Sequence, residues 1–258
     1  LVGVVGRDYP MDELKTIAAR GIDLHGLTVA DGESFRWAGR YGFDLNSRDT
    51  LVTRLGVFAN FRPVIPEEFR DARYVFLGNI DPDLQLEVLE QVRRPDLVAC
   101  DTMNDWIQGK RTSLQKLLER VDVLLVNDSE LRELSGDWHL HRAARWVLER
   151  GPRTVVVKKG EHGAVLIEKD RTFFVPGYPL EDVFDPTGAG DAFAGGFMAH
   201  LARTRDASHA NLRLAMVYGS AMGSFACERF SVQRFNEITA ADVVERVLKY
   251  RDLMHFDP

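Results

Sequence analysis

"DPTGAGDAFAGGF", residues 185–197, sets three small residues, Gly188, Ala189 and Gly190, between Asp185 and Asp191, and an apolar helical pattern starts at once. Small residues let backbone N–H groups approach a ligand closely. The start of a helix adds free N–H groups and the positive end of its dipole, which favour an anion. Phe193, Phe197 and Leu201 recur at i, i+4 and i+8, so the helix is expected to be buried with its amino end aimed at a site. A plain turn explains the glycines, and Asp in a first helical turn is a general preference. It does not explain Gly195 and Gly196 inside the helix, each costing about 1 kcal/mol against alanine. A carboxylate beside an anion cradle is also unfavourable unless it has work to do. General-base help to a hydroxyl that attacks the anion would be such work.

Upstream, short apolar runs with valine alternate with helical patterns. "YVFLG" (74–78) precedes a helix expected over Pro82–Arg93, "LVACD" (97–101) one ending near Arg120, and "VLLV" (123–126) helical segments up to Arg150. "TVVVK" (154–158) is followed by "AVLIE" and "TFFV", which read as a hairpin; from Ala189 onward the chain reads as nearly all helix. This alternation predicts an α/β fold with a mostly parallel sheet covered on both faces. In such sheets ligands bind outside the carboxyl ends of the strands. The residues to inspect are therefore Asn79 and Asp81, Asp101 and Asn104, Asn127 and Glu130, and Lys158 to Gly163.

The front of the chain differs. Val2–Val5 reads as a strand ending at Gly6, and Met11–Arg20 as a helix stopped by Gly21. "ESFRWAGRY" (33–41) then alternates, with Phe35, Trp37 and Tyr41 on one side and Ser34, Arg36 and Arg40 on the other. "DTLVTRLGVF" (49–58) alternates again, and the turn formers of "DLNSRD" (44–49) lie between them. The pattern predicts an antiparallel hairpin with one aromatic face, either a plain edge hairpin or a lid over a ligand.

Composition narrows the classes. With 45% hydrophobic residues, 28% charged residues and a net charge of −6, there is no basic footprint for nucleic acid or an anionic membrane. No apolar run approaches the roughly 18 residues that span a bilayer. Cys100 and Cys227 sit in apolar contexts without metal spacing, which reads as buried, reduced thiols and a cytoplasmic setting. Competing phosphate motifs are missing from the sequence: neither G-x-x-x-x-G-K-[ST] nor G-x-G-x-x-G after a strand occurs.

"DPTGAGDAFAGGFM" closely resembles the carboxy-terminal signature of the PfkB, or ribokinase-like, carbohydrate kinase family, and the order of hairpin early and signature late agrees with it. The resemblance covers essentially the whole chain. It implies a three-layer ribokinase-like (Rossmann-like) fold with a mostly parallel central sheet and a small antiparallel β lid. Residues 1–30 and 59–258 would form the α/β kinase domain, and 31–58 the inserted lid. It further implies that Asp191 deprotonates the phosphate-accepting hydroxyl while Gly188, Ala189 and Gly190 form the anion hole for in-line transfer from ATP.

Other stretches carry the resemblance further. "NDSE" (127–130) looks like the family's N-x-x-E element, which implies that Asn127 and Glu130 hold Mg2+ through its waters; the same residues make a capping-box variant. "DTMNDW" (101–106) is similar to a D-x-N-x-R element, with Asp101 and Asn104 matched, Trp106 in place of the arginine, and a phosphate or substrate contact implied for Asn104. "VVVKKGEHGAVL" (155–166) resembles the K-x-G-x-x-G loop that packs on the nucleotide. This implies that Gly160 and Gly163 leave room for ribose and base and that Lys158 reaches phosphate, although a tight turn uses such glycines too. Asp185 and Thr187 match half of a monovalent-cation (K+) site. Ser220, in the helix that shapes the adenine pocket in relatives, stands where ribokinases carry asparagine, and "CERFS" (227–231) lacks the usual glycine. Relatives also have a strand, a substrate-binding aspartate and a Gly-Gly element before "VGVVGRD" (2–8), about 40–50 residues or one and a half βα units. The expectation is a longer parent protein, and weak ATP binding with little transfer from these residues alone.

The sequence thus predicts an ATP- and Mg2+-dependent kinase acting on a hydroxyl of a sugar or sugar-like molecule, with Asn79, Asp101, Asn104 and the lid residues Phe35 and Trp37 near the substrate. A nucleoside kinase is the alternative, because Phe35, Trp37 and Tyr41 could stack on a base. A ligand-binding homologue without turnover is the reading from another class. The exposed lid edge predicts a homodimer through the lid.

Overall fold

The short apolar and alternating runs form strands, which in the computed structural model fall into three separate sheets. The structure describes residues 1–43, 45 and 48–255. The turn formers Asp44, Asn46 and Ser47 lie outside the described residues. The chain divides into two compact units, Leu1–Ala72 with Asp83–Arg94, and Arg73–Pro82 with Pro95–Pro258.

In the first unit, β1 (Val2–Gly6) pairs in parallel with β2 (Gly26–Ala30) across α1 (Met11–Ala19). Gly21, at φ 82°, follows the helix, as the sequence pattern predicts. β3 (Arg36–Tyr41) and β4 (Arg48–Arg54) form the expected antiparallel hairpin as a sheet of their own. The register slips between Ala38 and Gly39, so Leu51 is the extra residue of a bulge. Phe35 packs edge-on against Phe58 at 6.0 Å, and Trp37 Nε1 donates to Thr50 Oγ1 at 3.3 Å. α2 (Pro82–Leu89), most of which belongs to this unit, is shorter than the expected Pro82–Arg93.

The second unit holds a six-stranded sheet. Its members are β5 (Tyr74–Leu77), β6 (Leu97–Asp101), β7 (Val123–Asn127), β8 (Thr154–Lys158), β9 (Ala164–Ile167) and β10 (Thr172–Val175), in the order β10-β9-β8-β7-β6-β5. β5 to β8 run parallel, while β9 and β10 add an antiparallel hairpin. The near-continuous burial of β6, β7 and β8 is what a sheet covered on both faces requires. One face carries α3 (Asn104–Gly109), α4 (Arg111–Leu118), α5 (Asp128–Ser135) and α6 (Leu140–Leu148), with contacts from α5 and α6 to β7 and β8. The other carries α7 (Ala189–Thr204), α8 (His209–Ala226), the short α9 (Gln233–Glu237) and α10 (Ala240–Met254). Alternate strand residues Leu97, Ala99, Val123, Leu125 and Val156 share a core with Phe193, Phe197 and Leu201 of α7. Phe197 and Leu201 are wholly buried, each worth about 2 kcal/mol of apolar burial.

α7 and α8 pack closely, and that contact accounts for Gly196. A Cβ there would stand 2.7 Å from the Tyr218 carbonyl oxygen and 2.7 Å from Met222 Cγ. Gly195 has open space around its Cβ position, and the packing gives no reason for it. The helix expected between β6 and Arg120 is two helices, because Lys110 leaves helical geometry at φ −131° immediately after Gly109. Among the described residues no helix is long and apolar enough to cross a membrane.

Candidate active site

Parallel pairing sets the carboxyl ends of β6, β7 and β8 side by side, which brings Asp101, Asn127 and Lys158 to one edge of the sheet. Asn127 and Lys158 are register partners on adjacent strands. Lys158 Nζ donates to Asp101 Oδ2 at 2.8 Å, with both side chains largely buried. Asp101 Oδ1 accepts the Thr102 N–H at 2.8 Å. Thr102 itself is buried, and its Oγ1 has no hydrogen-bond partner among the described residues.

The start of α7 reaches the same edge. Gly188 adopts the left-handed conformation, φ 80° and ψ 0°, as the residue before the first helical turn. That conformation strains any residue with a Cβ, so glycine is needed to let Ala189 and Gly190 open the helix as they do. Ahead of it, Asp185 Oδ1 accepts the Thr187 N–H at 2.9 Å, closing a turn. Asp191 is exposed in the first turn, while Phe193 and Ala194 behind it are buried. A Cβ on Gly190 would lie 3.2 Å from Lys158 Nζ, so the ammonium sits close against the helix start and a larger residue would push it aside.

Lys158 is therefore the hub of the site. Burial favours its neutral form, but Asp101, by charge and hydrogen bond, and then Glu130 and Asp191 by charge, outweigh burial and hold its pKa above the ordinary lysine value. Its cationic state is secured by residues from three different elements, β6, α5 and α7.

Asn127 and Glu130 form a full capping box on α5. Asn127 Oδ1 accepts the Glu130 N–H at 2.8 Å and the Ser129 hydroxyl at 2.7 Å, and the Asn127 N–H donates to Glu130 Oε2 at 3.0 Å. The capping reading of "NDSE" is thus satisfied, at a place that also adjoins Lys158. Among the described residues no three His, Cys, Asp or Glu side chains are grouped to hold a metal ion by themselves. Mg2+ does not require such a group, since it keeps waters and takes phosphate oxygens beside one or two carboxylates.

Several of the other predicted residues have contacts of their own. Trp106 Nε1 donates to Asn79 Oδ1 at 2.9 Å, so the tryptophan standing in place of the arginine ties β5 to α3. Asn104 is exposed in the first turn of α3. Gly160 and Gly163 flank a short 3-10 turn, and a Cβ on Gly163 would meet the Val175 carbonyl oxygen at 2.1 Å, so backbone crossing alone requires that glycine. Ser220 is 8% exposed within α8 and donates to the Pro176 carbonyl at 3.3 Å. Trp37 lies in β3 of the first unit, and Phe35 immediately precedes that strand. Sequence reasoning treated Asp101 and Lys158 separately and missed their pairing, since no pattern along the chain links residues 57 apart.

The parallel α/β sheet thus brings the glycine-opened start of α7 and Lys158 together at its carboxyl end. Residues 1–239 match the model of the pfkB family carbohydrate kinases, and the chain belongs to that family. It is 30% identical over 210 residues to a cytidine kinase of Thermococcus kodakarensis, an alignment covering 80% of this chain and 74% of that protein. A nucleoside kinase of Methanocaldococcus jannaschii is 29% identical over 196 residues, 76% of this chain; the match spans 62% of that relative's length. The crystal structure of a nucleoside kinase from the same organism, an archaeal member of the ribokinase family, shares the fold with a TM-score of 0.77 at 24% identity, over 96% of this chain and 80% of that one. A fructokinase of Vibrio cholerae, solved with fructose, ADP and a calcium ion, gives 0.77 at 19% identity over 95% of this chain and 84% of that one.

Proposed function

We propose that the protein transfers the γ-phosphoryl group of ATP to a sugar hydroxyl, and that the sugar is the ribose of a nucleoside. The observation that carries the proposal is the left-handed Gly188 opening α7, with Asp191 in the first turn and Lys158 lodged against Gly190. The 30% identity to a cytidine kinase favours a nucleoside over a free sugar.

In this reading Asp191 takes the proton of the acceptor hydroxyl as its oxygen attacks the γ-phosphorus. The bond from that phosphorus to the bridging oxygen of ADP breaks in line, leaving ADP and the phosphate monoester. Asp191 then passes its proton to water. The N–H groups of Ala189 and Gly190 and the ammonium of Lys158 face the charge spread over the equatorial oxygens, so stabilisation is by position and field. Glu130 and Asn127 would hold Mg2+ through its waters, and the ion would supply positive charge to the phosphate oxygens. Gly160, Gly163 and Ser220 line the nucleotide side in this reading, Asn79 and Asn104 the acceptor side, and Asp185 with Thr187 the place for a monovalent cation.

Asp191→Asn tests it. Phosphoryl transfer to cytidine or another nucleoside should fall by about 10²- to 10⁴-fold, the usual worth of a general base, while affinity for a non-hydrolysable ATP analogue is kept. Activity that survives the change would remove Asp191 from the role of base.

A further inference from the structure

Trp106 and Asn79 meet at the carboxyl edge of the second unit's sheet. β5 ends at Leu77, the register partner of Cys100, so the turn that carries Asn79 lies beside the end of β6 and Asp101. Asn79 is exposed there, and Trp106, half-buried in α3, donates from Nε1 to Asn79 Oδ1 at 2.9 Å. Further along the same turn Asp81 Oδ2 pairs with Nζ of Lys110, the residue that ends α3, at 3.3 Å. The turn is thus tied to both ends of a short helix.

An indole nitrogen has a hydrogen to give and no lone pair to accept with, whereas an asparagine amide has an accepting oxygen and a donating nitrogen. The contact therefore admits one orientation of the amide. Its oxygen faces the indole, and its –NH2 group stands on the other branch of an exposed side chain beyond a strand end. Without the indole the two ends of the amide are nearly equal in shape and exchange by rotation about χ2.

We infer that Trp106 is a positioning residue that fixes Asn79 as a hydrogen-bond donor, so that the acceptor molecule is recognised through an oxygen, hydroxyl or carbonyl, rather than through an amine. The inference rests on the reading above, in which Asn79 lies on the acceptor side of a phosphotransfer site. A donor held in this way discriminates through mismatch. An oxygen lone pair completes it, while an N–H group set against it leaves two donors facing each other. Trp106 acts through Asn79 and need not touch the substrate.

The test uses the full chain with Trp106→Phe, Asn79→Asp, Asn79→Ala and the pair Trp106→Phe with Asn79→Ala. KM and kcat are measured for cytidine, or for ribose if cytidine is not turned over, with the KM for ATP and thermal melts beside them. Trp106→Phe keeps a ring and removes the N–H. It should raise the acceptor KM by about three- to ten-fold, the worth of one hydrogen bond, the effect falling on that KM more than on kcat or the KM for ATP. Asn79→Asp still accepts from the indole but has no N–H to offer, so it should raise the acceptor KM at least as much. In the Asn79→Ala background Trp106→Phe should change the acceptor KM by less than about two-fold, because no amide is left to orient. An unchanged acceptor KM in Trp106→Phe or in Asn79→Asp would overturn the inference. So would a Trp106→Phe chain that loses kcat, ATP affinity and melting temperature together, since the indole would then only brace α3. Asn79→Asp keeps that brace and stays decisive if Trp106→Phe does not fold. A wild-type chain that phosphorylates neither nucleosides nor sugars sinks the phosphotransfer reading and the inference with it, whereas normal wild-type turnover with an unmoved acceptor KM in the variants sinks the inference alone.

Discussion

Asn127 and Glu130 hold each other through two hydrogen bonds, the Glu130 N–H to Asn127 Oδ1 at 2.8 Å and the Asn127 N–H to Glu130 Oε2 at 3.0 Å. The pair therefore has a structural duty whether or not it serves a metal. The two duties separate by substitution. Asn127→Ala removes the cap acceptor and should cost about 1 kcal/mol of stability, read as a lowered denaturation midpoint. Glu130→Gln keeps an oxygen for the Asn127 N–H but loses the charge. It should melt close to wild type while needing several-fold more Mg2+ for half-maximal phosphoryl transfer. An unchanged Mg2+ requirement in Glu130→Gln would leave the pair as a cap alone.

Gly196 is the contact point of α7 and α8. Placing a methyl group there sets it 2.7 Å from the Tyr218 carbonyl oxygen and Met222 Cγ, which forces the helices apart or Met222 out of its rotamer. Gly196→Ala should destabilise by about 1–3 kcal/mol despite the better helix propensity of alanine. Gly195→Ala, with open space around it, should be neutral or stabilising by up to about 1 kcal/mol. Urea denaturation of the two variants side by side checks the contrast, and equal effects would contradict the packing argument.

Neither cysteine should react readily in the folded protein. Burial pushes the Cys100 thiol far up, with the Asp101 charge adding to it. Burial, then Asp185 and Glu228, raise Cys227 as well. The thiolate is the nucleophile, so a raised pKa means less of it at any given pH than a free cysteine supplies, and reactivity climbs only as the pH does. Iodoacetamide at pH 7.5 should leave both unmodified over a time that alkylates both in denaturant. Rapid native-state labelling of Cys227 would show its environment to be different.

How much was legible in the chain follows from where the determining contacts lie. β6 and β8 fall at Leu97–Asp101 and Thr154–Lys158, as their short apolar runs predict, because burial on both faces leaves a signal along the strand. β2, Gly26–Ala30, escaped notice: its five residues, "GLTVA", are only half-buried at most, and their strand depends on pairing with β1. The break of one helix into α3 and α4 had its cue in Gly109, which reads as tolerable within a helix until Lys110 is seen to leave it.

The sequence by itself determined the α/β alternation, the hairpin at the front, and the small-residue helix start with its following aspartate, because each is written in local spacing and steric need. The left-handed Gly188 belongs here, since only glycine opens that turn without strain. Tertiary structure alone decided which charges meet. Parallel register between β6, β7 and β8 set Lys158 beside Asp101, with Gly190 leaving room for the ammonium. Side chains 57 positions apart in the chain become neighbours only when strands align. A charge taken out of water then takes the partner that the alignment supplies.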